Sequence, residues 1–239
     1  GTFVTPAASA IAPAVTLTDM PAFCRVTGTT SPSSDSSIGF EVWIPMSGWN
    51  AKYLQVGTQG YAGSYQWVPM SLARKRGYAI GSTETGHSTG FPNIGGWAVG
   101  HPQKVIDFGW RAHKVVSDIA KAIVTANMAL APKYSYFYGG SNGGREAMME
   151  AQRFPQDFDG YISEGPAINW SRLAAAWVNT EQALFSDPAS TISAAKLPAI
   201  QAATLAACDA ADGVADGVVN DPRACHFDPS VLLCSGAET

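Results

Sequence analysis

Gly139, Ser141 and Gly143 satisfy the pattern G-x-S-x-G, and the chemistry this spacing serves is nucleophilic attack by a serine hydroxyl. A serine hydroxyl attacks well only when it is lifted clear of its own chain and when donors stabilise the oxyanion that forms. The pattern meets both needs: a sharp turn raises the hydroxyl, and small neighbours let backbone N–H groups approach a substrate. The flanking residues agree with such an elbow. Tyr134, Tyr136, Phe137 and Tyr138 give the segment before the turn strand character, and AMMEAQRF after it is built from good helix formers. The N-terminus of that helix directs the positive end of its dipole toward the developing charge.

A second group has a different chemistry. Asp209, Asp212, Asp216 and Asp221 crowd into one loop with Gly213 and Gly217, reading D-x-x-D-G-V-x-D-G-V. Clustered carboxylates repel unless a cation joins them, and hard oxygen donors on a flexible loop suit calcium, whereas zinc or copper would call for nitrogen or sulfur. The loop lacks the D-x-D-x-D-G core of an EF-hand.

The elements that must position these groups follow from hydrophobic periodicity. IGFEVWIP (38–45) and AKYLQVG (51–57) are predicted strands, the second ending in the glycine loop GTQGYAG. SLARKRGY reads as a short helix, and AIGSTETGH as a strand that exposes Thr83, Glu84 and His87 at its C-terminal end. Val105 to Ala129 places apolar residues at helical spacing, and within it Asp107 and Arg111 form an i, i+4 pair. FDGYISEGPA (158–167) is a further strand. This alternation of strand and helix argues for a mostly parallel α/β sheet. Before it, residues 1–37 read as a β-rich leader with short strands at VTLTDM and FCRVTG. Beyond residue 168 the chain changes character, to Ala-rich helices followed by the aspartate loop, so a separate lobe begins near Ile168.

Composition narrows the class. Of the 239 residues 46% are hydrophobic and only 14% charged, about half the usual charged share. A net charge of -4 without a Lys/Arg run gives no reason to expect nucleic acid or an anionic membrane as partner, and no apolar run is long enough to span a bilayer. Cys24, Cys208, Cys225 and Cys234 include no C-x-x-C, so disulfides, and hence an oxidising compartment, fit better than zinc. The chain opens at GTFVTPAA with neither initiator Met nor signal peptide, which suggests a mature or trimmed secreted product.

The stretches PAFCRVTG, VGTQGYAGS, STETGHS, VIDFGWRAHKV, YGGSNGGREAMMEAQRFPQDFDGYISEGPA and CDAADGVADGVVNDPRAC resemble the tannase and feruloyl esterase family of secreted α/β-hydrolases. The resemblance implies an α/β-hydrolase core over residues 1–167, incomplete because its C-terminal strands lie outside this chain, and the N-terminal part of an inserted, partly present helical lid over residues 168–239. It implies a serine esterase for aromatic or phenolic esters that works through an acyl-enzyme on Ser141. The backbone N–H of Asn142 would be one oxyanion donor and that of Gly60 the other, with Gln59 the next choice. A structural Ca²⁺ would be held by the side chains of Asp209, Asp212 and Asp216 and the carbonyls of Val214 and Val218. Cys208 would bond Cys225, while Cys24 and Cys234 would pair with cysteines outside this sequence or stay free.

The sequence departs from the family in two places. Most members have a cysteine just before the nucleophile, bridged to one just after the catalytic histidine; here that residue is Gly140, and the bridge cannot form. In this fold the triad acid and histidine follow the serine in the chain, yet the only later histidine is His226, in the lid loop after Cys225. Glu164 follows the strand after the elbow, where the family has a small residue. The expectation is therefore that a second polypeptide, cleaved within the lid, or a missing C-terminal segment supplies both Asp and His. A non-catalytic or regulatory fragment, or another acyl-transfer enzyme on the same scaffold, remains the alternative.

Overall fold

The structure is a computed structural model that describes residues 1–6, 14–88 and 95–233. It contains two compact units, Gly1–Ile168 and Asn169–Thr239.

The first unit is built on a sheet of six strands: β3 (Phe23–Thr30), β4 (Ile38–Pro45), β5 (Lys52–Val56), β6 (Ala79–Thr83), β7 (Tyr134–Gly140) and β8 (Gly160–Glu164), in the order β3-β4-β6-β5-β7-β8. A small antiparallel ribbon, β1 (Phe3–Val4) with β2 (Thr16–Leu17), lies outside it. The pairs β3–β4 and β4–β6 are antiparallel; β6–β5, β5–β7 and β7–β8 are parallel. β4 runs into β5 through a turn, and the two do not pair; the chain crosses over through α1 (Trp67–Lys75) and lays β6 between them. A parallel strand needs such a crossover, while an antiparallel neighbour does not. The four parallel strands consequently bring Val56, Thr83, Gly140 and Glu164 to one edge of the sheet, and Ser141, Asn142, Gln59 and Gly60 follow directly from strand ends at that edge.

β4 is buried on both of its faces. Ile38, Phe40, Val42 and Ile44 share a core with Ala112, Val116, Ala120 and Val124 of α3 (Ala112–Met128) and with Phe137. The small side chains at every fourth position let the helix sit close to the sheet. On the other face Trp43 packs with Leu17, Met20, Met70, Ala73 and Ile80. Glu41 points to that same face and is satisfied by Arg25 Nε at 2.8 Å and Trp43 Nε1 at 2.9 Å. Shortening Val116, which is fully buried, to Ala is expected to cost about 2 kcal/mol by lost burial and the gap left behind; urea unfolding monitored on the first unit measures it.

The long helix also differs from expectation. It begins earlier, as α2 (Pro102–Ile106), and continues into α3 through a π-helical stretch at Asp107–Arg111. The i, i+4 pair within that stretch is present, with Arg111 Nε 2.5 Å from Asp107 Oδ1. Helix α1 likewise starts at Trp67, before the expected Ser71. Helix α4 (Asn142–Arg153) follows β7.

The second unit contains α5 (Trp170–Phe185), α6 (Leu197–Cys208), short 3₁₀ turns and a disulfide between Cys208 and Cys225. Among the described residues it adds no strand, and no helix is long and apolar enough to cross a membrane.

Candidate active site

Ser141 sits between β7 and α4, exposed, at φ 57° and ψ -116°. A non-glycine residue is strained there, and the surroundings show what enforces it. A Cβ on Gly139 would lie 2.1 Å from the Gly143 carbonyl oxygen, and one on Gly143 would lie 2.6 Å from that of Thr58. The two glycines of the motif are thus required by backbone packed on backbone. Ser141 N–H donates to the Glu164 carbonyl at 2.9 Å, and the Ser141 carbonyl accepts from Arg145 N–H at 3.2 Å and Ala167 N–H at 3.0 Å. Asn142 is the first residue of α4, so its N–H has no acceptor within the helix. At Gly140 a Cβ would meet only ordinary contacts, the nearest at 3.7 Å.

The loop after β5 lies against this turn. Gly57 N–H donates to the Tyr138 carbonyl at 2.9 Å, and Thr58 touches Gly143. Gln59 and Gly60 are exposed, and Gly60 has a φ of 57°, which suits glycine. The next turn is fastened from the loop after β6: Gly63 N–H donates to the Glu84 carbonyl at 3.0 Å, and His87 Nε2 lies 2.6 Å from the Tyr61 carbonyl. An N–H on Nε2 is required there, since a carbonyl only accepts. Contrary to expectation, the residues at the end of β6 are not exposed. Thr83 and His87 are buried, and Glu84 is half-buried with its carboxylate accepting from Gly39 N–H at 2.7 Å. They sit under the neighbouring loop, with His87 stacked on Trp97 at 4.0 Å. Burial raises the Glu84 pKa and lowers that of His87.

A buried polar cluster lies beneath the elbow, and sequence reasoning missed it. Glu146 receives Thr58 N–H at 2.8 Å, the Thr58 hydroxyl at 2.6 Å and Asn142 Nδ2 at 2.9 Å. Arg145 donates through Nε to Asn142 Oδ1 at 2.7 Å and through its two terminal nitrogens to the carbonyls of Gly109 at 2.9 Å and Phe108 at 3.0 Å. His113 Nε2 lies 2.9 Å from Glu146 Oε2, near enough to pair electrostatically though off the line of a hydrogen bond. Burial pushes the Glu146 carboxyl up; His113 beside it, Arg145 and the Thr58 hydroxyl outweigh that and hold it below the usual range. The only signal in the sequence was its place in the GGREAM run.

The four histidines are spread through the chain. His87 meets Tyr61, His101 Nδ1 pairs with Asp35 at 2.7 Å, His113 meets Glu146, and His226 is exposed in the second unit. Glu164 Oε2 accepts from the Tyr138 hydroxyl at 2.9 Å.

In the aspartate loop the carboxylates turn to nearby donors. Asp209 accepts from Gly217 N–H at 3.0 Å, Asp212 from Val214 N–H at 2.9 Å and from Asn220, and Asp216 from Val218 N–H at 3.1 Å. Among the described residues no group of three His, Cys, Asp or Glu side chains is arranged to hold a metal ion. The donor set is nevertheless all oxygen, the chemistry a hard cation takes. Cys208 and Cys225 flank the loop with Cα atoms 5.4 Å apart, Cys24 is free and exposed, and Cys234 lies outside the described residues.

Comparison with known proteins agrees with this geometry. Residues 24–239 match the family model described as tannase and feruloyl esterase. An uncharacterized esterase of Xanthomonas campestris pv. campestris is 54% identical over 235 residues, covering 98% of this chain and 41% of its own. A probable feruloyl esterase B-1 of Aspergillus fumigatus is 32% identical over 215 residues, covering 89% and 40%. Among solved structures, feruloyl esterase B from Aspergillus oryzae superposes with a TM-score of 0.81 at 27% identity, over 100% of this chain and 48% of that one. Tannin acyl hydrolase from Aspergillus niger gives 0.71 at 28%, over 97% and 44%. The chain thus spans about two fifths of the length of the curated relatives it matches. With an α/β-hydrolase sheet, a serine elbow at the end of β7 and a family match across nearly all its length, the chain belongs to the tannase and feruloyl esterase family.

Proposed function

We propose that this chain supplies the nucleophile and the oxyanion donors of a serine carboxylic ester hydrolase for aromatic or phenolic esters. The observation that carries the reading is Ser141, exposed at positive φ between β7 and α4 beside the β5 loop. Ser141 Oγ attacks the ester carbonyl carbon as a base takes its proton, and the carbonyl oxygen becomes an oxyanion facing the N–H groups of Asn142 and Gly60. Collapse breaks the ester C–O bond, and the alcohol or phenol leaves with the proton from the base. Water then attacks the acyl-enzyme by the same route and releases the acid. The base and its acid partner come from polypeptide beyond these residues: three of the four histidines are committed to Tyr61, Asp35 and Glu146, and His226 follows a disulfide cysteine in the second unit. The names of the relatives, feruloyl esterase and tannin acyl hydrolase, supply the substrate class. Acid quenching of the active protein during turnover of an aromatic nitrophenyl ester, followed by peptide mass spectrometry, should find the acyl group on Ser141. Turnover with the acyl group on another residue would overturn the assignment.

The second unit is proposed as the first part of an inserted lid domain, in a protein secreted to an oxidising compartment, where the Cys208–Cys225 bond persists. Its loop is proposed to hold one Ca²⁺ through the side chains of Asp209, Asp212 and Asp216 and the carbonyls of Val214 and Val218, the carboxylates exchanging their backbone N–H partners for the ion. An ion that binds only the folded loop adds its binding free energy to stability. Dialysed protein should keep about one calcium per chain, and a chelator should lower the melting temperature by several degrees before labelling of Ser141 declines. No retained calcium together with an unchanged melting curve would make the loop an acidic turn only.

A further inference from the structure

The proposed oxyanion hole joins two segments far apart in the chain, and one side chain holds both. Glu146 is 2% exposed. On the β5 loop it accepts the N–H and the hydroxyl of Thr58, the residue just before Gln59 and Gly60; on the elbow it accepts Asn142 Nδ2, from the residue whose N–H is the other donor. Asn142 Nδ2 also reaches Thr58 Oγ1 at 2.8 Å, which closes the triangle. We propose that Glu146 is the positioning residue of the oxyanion hole: its carboxylate fixes the spacing between the Gly60 and Asn142 N–H groups without itself touching the substrate. The inference rests on the reading of Ser141 as nucleophile.

Two further observations favour this over ordinary core packing. The donors converge on both carboxylate oxygens, an arrangement that only the ionised form accepts in full. The cluster is also braced from outside. Gln55 Nε2 lies 3.3 Å from His113 Nδ1, and His113 Nε2 lies 2.9 Å from Glu146 Oε2, so the ring is wedged between the β5 strand and the carboxylate. Arg145 ties Asn142 to the carbonyls of Phe108 and Gly109. A clamp on two loops held from two helices is stiff, and oxyanion stabilisation depends on donors already in place when the charge develops.

The test uses the active protein with Glu146→Gln, Thr58→Val and Thr58→Ser. Glutamine keeps the shape but puts an NH₂ where one oxygen was, so a donor of Thr58 or Asn142 faces another donor. For Glu146→Gln, kcat should fall about 10- to 100-fold with KM within about twofold of wild type. Affinity for an aryl trifluoromethyl ketone, which forms an oxyanion on binding, should fall with kcat/KM, while affinity for the product acid stays unchanged. Thr58→Val should lose roughly threefold to tenfold in kcat, Thr58→Ser should restore it, and the double variant should lose less than the product of the two. A lower melting temperature with wild-type kcat and ketone affinity would reduce Glu146 to a packing role. If Glu146→Gln does not fold, the Thr58 pair decides, and Val at wild-type kcat overturns the proposal. The nucleophile reading fails separately, by a Ser141→Ala variant that still turns over; a dead Ser141→Ala beside unaffected Glu146 and Thr58 variants defeats only the clamp.

Discussion

Replacing Ser141 with Ala in the active protein should lower kcat by about 10⁶-fold and leave the melting temperature where it was. The two halves of that expectation have different origins. Loss of the hydroxyl removes the acyl-enzyme route, so only binding and oxyanion stabilisation remain. Stability is unmoved because Ala has the same Cβ and suffers the same strain at φ 57°. Replacing Ser141 with Gly separates the two effects further: turnover is lost equally, while relief of the strained backbone should stabilise the fold by roughly 1 kcal/mol after the extra freedom of the unfolded chain is counted. Turnover assays beside urea melts of the three proteins check both. A Ser141→Ala variant with wild-type turnover would sink the mechanism; a Gly variant less stable than wild type would show that the turn is not strained.

Glu150, one turn along α4 from Glu146, should dominate the pH dependence of stability. Both its carboxyl oxygens are buried without a hydrogen-bond partner. Burial raises its pKa to about 7 from an ordinary 4.5, with Asp157 adding to the shift and His113, Lys114 and Lys121 opposing it. Between those two values the folded state binds the proton more tightly than the unfolded state, so stability falls as pH rises through this window and is level above it. The loss amounts to about 3 kcal/mol. Glu150→Gln carries no charge to desolvate. The variant should match wild type near pH 4 and exceed it by about 2 to 3 kcal/mol at pH 8, as read from urea unfolding of the first unit. A difference independent of pH would mean that Glu150 stays ionised in the fold throughout.

How much of this was legible in the sequence depended on how local its cause is. The elbow was readable because its pattern is contained in five consecutive residues, and the contact that requires Gly139 comes from Gly143 within the same turn. The Asp107–Arg111 pair was readable by spacing, but the π-helical stretch around it was not, since nothing in the residues DFGWR marks one. Glu146 and Glu150 were not singled out in the sequence at all; what binds Glu146 is a loop 88 residues earlier in the chain. Thr83 and His87 were expected at the surface, but His87 is held by a turn that arrives from the end of β5 and Thr83 by Gly39 of β4. The place of β6 between β4 and β5 is a matter of topology, which strand propensity does not encode. The pairing of Cys208 with Cys225 came from family resemblance, not from spacing.

The π-helical stretch places an unusual demand on the chain. Arg145 reaches that segment through the main-chain carbonyls of Phe108 and Gly109, and a side chain added at Gly109 would meet nothing within 4 Å. Position 109 can therefore vary in identity at little cost to this contact. Length cannot vary so freely. Removing one residue between Asp107 and Arg111 would let the segment relax to a regular helix and rotate everything before it by about 100° relative to α3. The carbonyls that receive Arg145 would turn away, and the Asp107–Arg111 pair would fall out of register. Insertions and deletions, far more than substitutions, are what this part of the scaffold cannot absorb.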